Sequence, residues 1–187
     1  MVATESSMMV LGSPAADFSL PDVTRAGAFA SVKEYAGRPM LVMFICNHCP
    51  YVIHVMDVLT QIANGFQEQG FAVVAISAND VENYPQDGPE KMAEFAAQYG
   101  FNFPYCYDET QATAKAYDAQ CTPDFFVYDA EHRLAYRGQM DGARPGNQEP
   151  VTGIELSTAM TAILRGQPVS SDQKPSLGCN IKWKPDG

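Results

Sequence analysis

The sequence predicts an α/β fold, a central mixed sheet flanked by helices, and three observations carry that prediction. Residues 40–45 and 71–77 are continuous apolar runs, the pattern of strands buried on both faces. Between them Val52, Val55, Met56, Leu59, Ile62, Ala63 and Phe66 recur at three- and four-residue spacing, one face of an amphipathic helix. Strand, helix, strand at this spacing is a βαβ unit, which makes the two strands parallel and the crossover right-handed. Further along, β-rich runs at 124–128 and 134–137 flank a polar turn and read as an antiparallel hairpin.

The remaining elements follow in order. Gly70 ends the first helix, and a polar, proline-bearing loop covers residues 79–88. Pro89 stands at a first helical position, Met92, Phe95, Ala96 and Tyr99 form an apolar face, and Gly100 stops that helix. A short strand is expected near 103–105 and a short helix near 110–117. Thr152 and Glu155 have the spacing of a capping box ahead of a last helix with Leu156, Ala159, Met160 and Ile163 on one face. Gly166 closes it. No repeat, low-complexity segment or linker divides the chain, so the expectation is one domain over 10–166, with 167–187 a tail packed on the same domain. In that tail Ile181 and Trp183 alternate with Lys182 and Lys184. An extended segment would bury the first two and leave the lysines in water.

Composition narrows the function classes. Of 187 residues 46% are apolar and 18% charged, which is globular composition. No apolar stretch approaches the ~18 residues of a membrane helix. Twelve basic and twenty-two acidic residues leave a net charge of −10. That excludes a phosphate-neutralising nucleic-acid binder and disfavours an anionic membrane surface. The first sixteen residues hold no basic residue and no apolar run long enough for a signal-peptide core. With Met1 as the start, the expected location is cytoplasmic. Five cysteines, of which only Cys46 and Cys49 are close, are not a secreted disulfide framework. A close pair in a reducing compartment indicates redox chemistry or metal.

Cys46-Asn47-His48-Cys49 lies between the first buried strand and the amphipathic helix. Unpaired N–H groups and the positive end of the helix dipole favour a thiolate there, the attacking species in disulfide exchange. One helical turn separates the pair by a distance that suits the ~4.4–6.8 Å between disulfide Cα atoms. Pro50 falls in the first turn, where its missing N–H costs least. The order of the two cysteines makes Cys46 the expected low-pKa nucleophile and Cys49 the more buried, resolving thiol. His48 beside Cys46 would stabilise the thiolate when cationic.

The Cys46-to-Val52 segment, Cys121-Thr122-Pro123-Asp124-Phe125-Phe126, and Gly178-Cys179-Asn180-Ile181-Lys182-Trp183 resemble, in that order, a family of bacterial thioredoxin-like, peroxiredoxin-related proteins of the AhpC/TSA type. The segment from Pro14 to Asp22 is similar to the entry segment of the peroxiredoxin and resealing-oxidoreductase branch. The resemblance covers about residues 10–184. It implies a thioredoxin-like fold with an N-terminal extension, a helical insertion and a C-terminal tail. It also implies that Thr122-Pro123 is a cis-proline loop packed on the cysteine pair and contacting substrate. Where thioredoxin carries a buried acid, six residues before the first cysteine, this chain has Met40, so that base is missing or supplied from elsewhere.

The leading expectation is a thiol–disulfide oxidoreductase with no bound cofactor or metal, and no phosphate-cradling glycine motif is present. Its partners would be a disulfide-containing protein or small molecule and a dithiol donor from the thioredoxin or glutathione system. Cys121 and Cys179 are candidate additional redox thiols, each with a packing role as the alternative. Cys106 reads as a buried hydrophobe, and His54 and His132 as solvated bystanders. The loops at 84–87 and 141–145 are weaker candidates for substrate contact. A second enzymatic reading is a thiol peroxidase. Against it, the peroxiredoxin threonine and proline positions hold Met43 and Met40. A third reading is a copper-binding or chaperone module using both thiolates with His48 or Cys121.

Overall fold

A computed structural model describes residues 3–185; Met1 and Val2 of the basic-free start, and residues 186 and 187 of the expected tail, lie outside the described residues. The chain opens with β1 (Ala3–Glu5) and a hairpin of β2 (Ser19–Pro21) and β3 (Phe29–Ser31). The predicted βαβ unit follows as β4 (Met40–Phe44), α1 (Pro50–Glu68) and β5 (Ala72–Ser77), its strands parallel with Met40 opposite Ala72. Then come α2 (Pro89–Tyr99), β6 (Tyr105–Tyr107), α3 (Ala112–Ala116), β7 (Cys121–Thr122), β8 (Asp124–Tyr128), β9 (Leu134–Gly138), α4 (Ile154–Leu164) and β10 (Leu177–Asn180).

Five strands form the central mixed sheet in the order β6-β5-β4-β8-β9, with β8 antiparallel to both neighbours. Its side chains alternate between two cores. Leu41, Met43, Val73, Ala75, Phe125 and Val127 pack against α1, α2 and α4. Met40, Val42, Phe44, Val74, Ile76 and Phe126 pack against Phe18, Tyr35, Ala114, Tyr117 and Ile181 on the other face. Both faces are covered, which is why the sequence runs of β4 and β5 are apolar without interruption.

Four local expectations are corrected. The strand expected near 103–105 is displaced to Tyr105–Tyr107, because Pro104 has no N–H to give and only its carbonyl joins the ladder, accepting from Ala75 N. The Thr152–Glu155 capping box does not form. Gly153, left-handed at φ 63°, precedes α4, and the Glu155 carboxylate accepts from Gln139 Nε2 instead. Asp141 Oδ2 accepts from Thr152 N and Gly153 N, and the Met140 carbonyl accepts from Glu155 N and Leu156 N. The acid that satisfies this helix entrance therefore comes from the loop after β9. His132 is not a bystander: its Nε2 lies 3.1 Å from the carbonyls of Tyr35 and Arg38.

The fourth correction concerns the tail. It folds back and inserts β10 between β1 and β7, with Cys179 opposite Ala3 on one side and Thr122 on the other. Ile181 is buried as expected, but Trp183 is 39% exposed, with Lys115 Nζ 5.9 Å from its ring, and Lys182 is buried. The simple alternation fails because the 79–80 loop and α3 grip the backbone here. Lys182 N donates to Asn79 Oδ1, and its carbonyl accepts from Asp80 N and Gln111 Nε2. The Lys182 ammonium turns back to Asn180 O at 2.6 Å and stands 5.8 Å from the Tyr84 ring.

Candidate functional site

The site is built where β4 hands over to α1. Cys49 is the residue preceding the helix, in extended conformation, and Pro50 occupies the first helical position. The Cys49 carbonyl accepts from Val52 N and Ile53 N. Cys46 lies before the helix, and both sulfurs are closed off from solvent: Cys46 is 1% exposed and Cys49 0%.

The loop before β8 brings the second set of groups. The Thr122–Pro123 peptide bond is cis. The Cys46 sulfur lies 3.4 Å from the Thr122 hydroxyl, and the Cys49 sulfur 3.3 Å from the Thr122 carbonyl. From the tail comes a third thiol: Cys179 Sγ lies 2.7 Å from Cys49 Sγ. Gly178 makes this approach feasible. A Cβ there would stand 2.0 Å from the Thr122 carbonyl oxygen, so any side chain would hold β10 away from the loop.

Cys49 is the centre of this cluster, and the electrostatics follow from that. Its thiol is held well below the ordinary range by hydrogen bonds from Cys179 and then Cys46, with the Val52 N–H adding to them. These outweigh burial, which pushes the thiol the other way. The bond with Cys49 pushes the Cys46 thiol up, as do burial and the negative charge of Asp87. Cys179 is pushed up by the same bond and by burial. The expectation of a depressed Cys46 pKa is therefore reversed in the fully reduced cluster.

His48, partly exposed, places Nδ1 2.6 Å from Oδ2 of the buried Asp87 and stacks on Tyr84 with ring centroids 5.7 Å apart. Asp87 also accepts from Asn79 Nδ2 at 2.9 Å and from Asn47 N at 2.8 Å. Sequence reasoning placed Asp87 only in a loop considered for substrate contact, without pairing it with His48, and missed Asn79. Asp87 was visible only as an acid in a polar loop 39 residues beyond His48. Among the described residues, Cys46, His48 and Asp87 offer ligand atoms all within 4.8 Å of one another, a set able to hold a metal ion. The structure brings together Cys46, Cys49, His48, Thr122, Pro123 and Cys179.

It does not bring Cys121 into the cluster. That sulfur makes a 3.7 Å contact with the Pro123 carbonyl, and burial pushes its pKa up. Cys106 packs on the opposite face of the sheet. The 141–145 loop is tied to itself: Asp141 Oδ1 accepts from Ala143 N, and Arg144 donates to the carbonyls of Asp141 and Ala143. A cavity of about 710 Å³ beside α4 is lined by no cysteine. Among the described residues no helix is long and apolar enough to cross a membrane.

Known proteins resemble this chain to different depths. A crystal structure of an uncharacterized conserved protein from Geobacillus kaustophilus is 48% identical, covering 100% of this chain and 99% of that one, with a TM-score of 0.96. A hypothetical protein from Sinorhizobium meliloti 1021 is 46% identical over 98% of this chain and 100% of its own, with a TM-score of 0.94. The thiol-disulfide oxidoreductase ResA of Halalkalibacterium halodurans is 25% identical over 119 residues, 64% of this chain. The match spans 62% of that curated relative's length. A putative thiol:disulfide interchange protein DsbE from Chlorobium tepidum, 20% identical with a TM-score of 0.65 over 84% of this chain and 99% of its own, shares the thioredoxin-like fold. Residues 11–137 match the AhpC/TSA family, and by that match the chain belongs to it.

Proposed function

We propose that this protein is a thiol–disulfide oxidoreductase in which Cys46 attacks a substrate disulfide and Cys49 resolves the mixed disulfide. The observation that carries the reading is the cysteine pair at the entrance of α1, set against the cis Thr122–Pro123 peptide with the Thr122 hydroxyl 3.4 Å from Cys46. The curated relative named as a thiol-disulfide oxidoreductase supports it. The attacking form of Cys46 is its thiolate, which would stand beside His48 and the Thr122 hydroxyl. Asp87 orients His48 through Nδ1.

The Cys46 thiolate then takes one sulfur of the substrate, and the other leaves as a thiolate. Cys49 attacks Cys46 Sγ, releasing the second substrate thiol and closing a Cys46–Cys49 disulfide. A dithiol donor such as the thioredoxin or glutathione system restores the pair. With a small aromatic disulfide as substrate, Cys46→Ser should abolish turnover, and Cys49→Ser should accumulate a mixed disulfide at Cys46 detectable by mass. Undiminished turnover in Cys46→Ser would overturn the reading. The Cys46, His48 and Asp87 group favours a second reading, soft-metal binding. A stoichiometric ion in protein purified without chelator would support that one instead.

A further inference from the structure

Cys179 is separated from Cys49 by 130 residues of sequence, yet their sulfurs are 2.7 Å apart. The approach is held from both sides. β10 is the middle strand of its sheet, with Cys179 opposite both Ala3 and Thr122, and Gly178 alone lets the backbones come this close. Downstream, Ile181 is buried and the Lys182 backbone is clamped by Asn79, Asp80 and Gln111. Cys46 belongs to the same Cys-x-x-Cys turn, its sulfur 3.4 Å from the Thr122 hydroxyl while the Cys49 sulfur is 3.3 Å from the Thr122 carbonyl. Cys49 is thus shared by two possible disulfide partners.

We infer that Cys179 is a third redox-active residue, which moves the disulfide from Cys46–Cys49 to Cys49–Cys179. The inference rests on the oxidoreductase reading above and adds one step to it. Once the Cys46–Cys49 disulfide has formed, the Cys179 thiolate attacks Cys49 Sγ. The Cys49–Cys179 bond forms, the Cys46–Cys49 bond breaks, and its electron pair leaves on Cys46. Cys46 takes up the proton that Cys179 gave up. No external oxidant or reductant enters this step, and the protein remains oxidised by two electrons. The result is an oxidised protein whose attacking cysteine is a thiol again, beside Thr122 and His48. An external dithiol then reduces Cys49–Cys179 and is itself oxidised to a disulfide.

Disulfide mapping tests this. Fully reduced protein is treated with an equimolar amount of glutathione disulfide, acid-quenched, alkylated, digested and mapped by tandem mass spectrometry. The expected product is a Cys49–Cys179 cross-link with Cys46 alkylated. In Cys179→Ser that cross-link is lost and Cys46–Cys49 takes its place. Cys46→Ser, treated with diamide, should still form Cys49–Cys179. Wild type that carries Cys46–Cys49 throughout, with Cys179 alkylated, overturns the relay while leaving the oxidoreductase reading intact. No disulfide among the three cysteines overturns both. A Cys46→Ser variant that melts like wild type but forms no cross-link also overturns the relay.

Discussion

The cluster favours a thiolate at Cys49, whereas the sequence places it at Cys46. The reasoning from the helix N-terminus is sound, but the residue that stands at that N-terminus is the second cysteine. Two neighbouring thiols then concentrate the negative charge on the middle sulfur. Reduced protein should therefore retain ultraviolet thiolate absorbance well below the ~8.5 of a free thiol. Cys49→Ser should remove that absorbance, and Cys46→Ser should leave most of it. Retention in Cys49→Ser would return the charge to Cys46. The linkage has a definite sign: a depressed pKa contributes stability that is present above the unfolded value and lost as pH falls through the folded one.

At the scale of elements, β10 is the piece on which the site closes, and Gly178 is its weakest tolerance. Gly178→Ala forces a Cβ onto the Thr122 carbonyl. The expected cost is about 1–3 kcal/mol, as for other overpacked positions. Faster amide exchange across 177–180 and faster alkylation of Cys179 should accompany it, and an unshifted melting temperature would contradict the close approach. Elements that bury themselves locally were legible in the sequence. β4, α1 and β5 announce themselves because each apolar residue faces a core the unit itself helps to make. The motifs likewise placed Cys46, Cys49 and the cis-proline. The entrance to α4 was not legible, because the group that satisfies it is Asp141, from another segment. The same holds for Asp87 and for the buried Lys182, whose partners are set only by the finished fold.

Across the whole molecule, one buried pair ties the hairpin to the active-site loop. Arg137, buried over the Phe126 ring at 4.3 Å, donates to Asp124 Oδ2 at 3.2 Å and to the Asp118 carbonyl at 2.7 Å. Burial pushes the Asp124 carboxyl up to about 7 against the pull of Arg137. Its proton therefore favours the folded state, a contribution complete below the model-compound value of 3.8 and lost as pH rises through about 7. Replacing it by a neutral amide, Asp124→Asn, should make the melting temperature of wild type fall relative to the variant over that interval. For a domain of this size about 2–4 °C corresponds to each kcal/mol. A pH-independent offset would refute the shift. The sheet of β1, β10 and β7 carries a different consequence, for synthesis. Cys179 is added 130 residues after Cys49, roughly 6–26 s later at ordinary ribosomal rates. Through that interval the nascent chain holds Cys46 and Cys49 with no strand β10 over them, so an oxidant arriving then finds two thiols at the site, and one arriving after release finds three there.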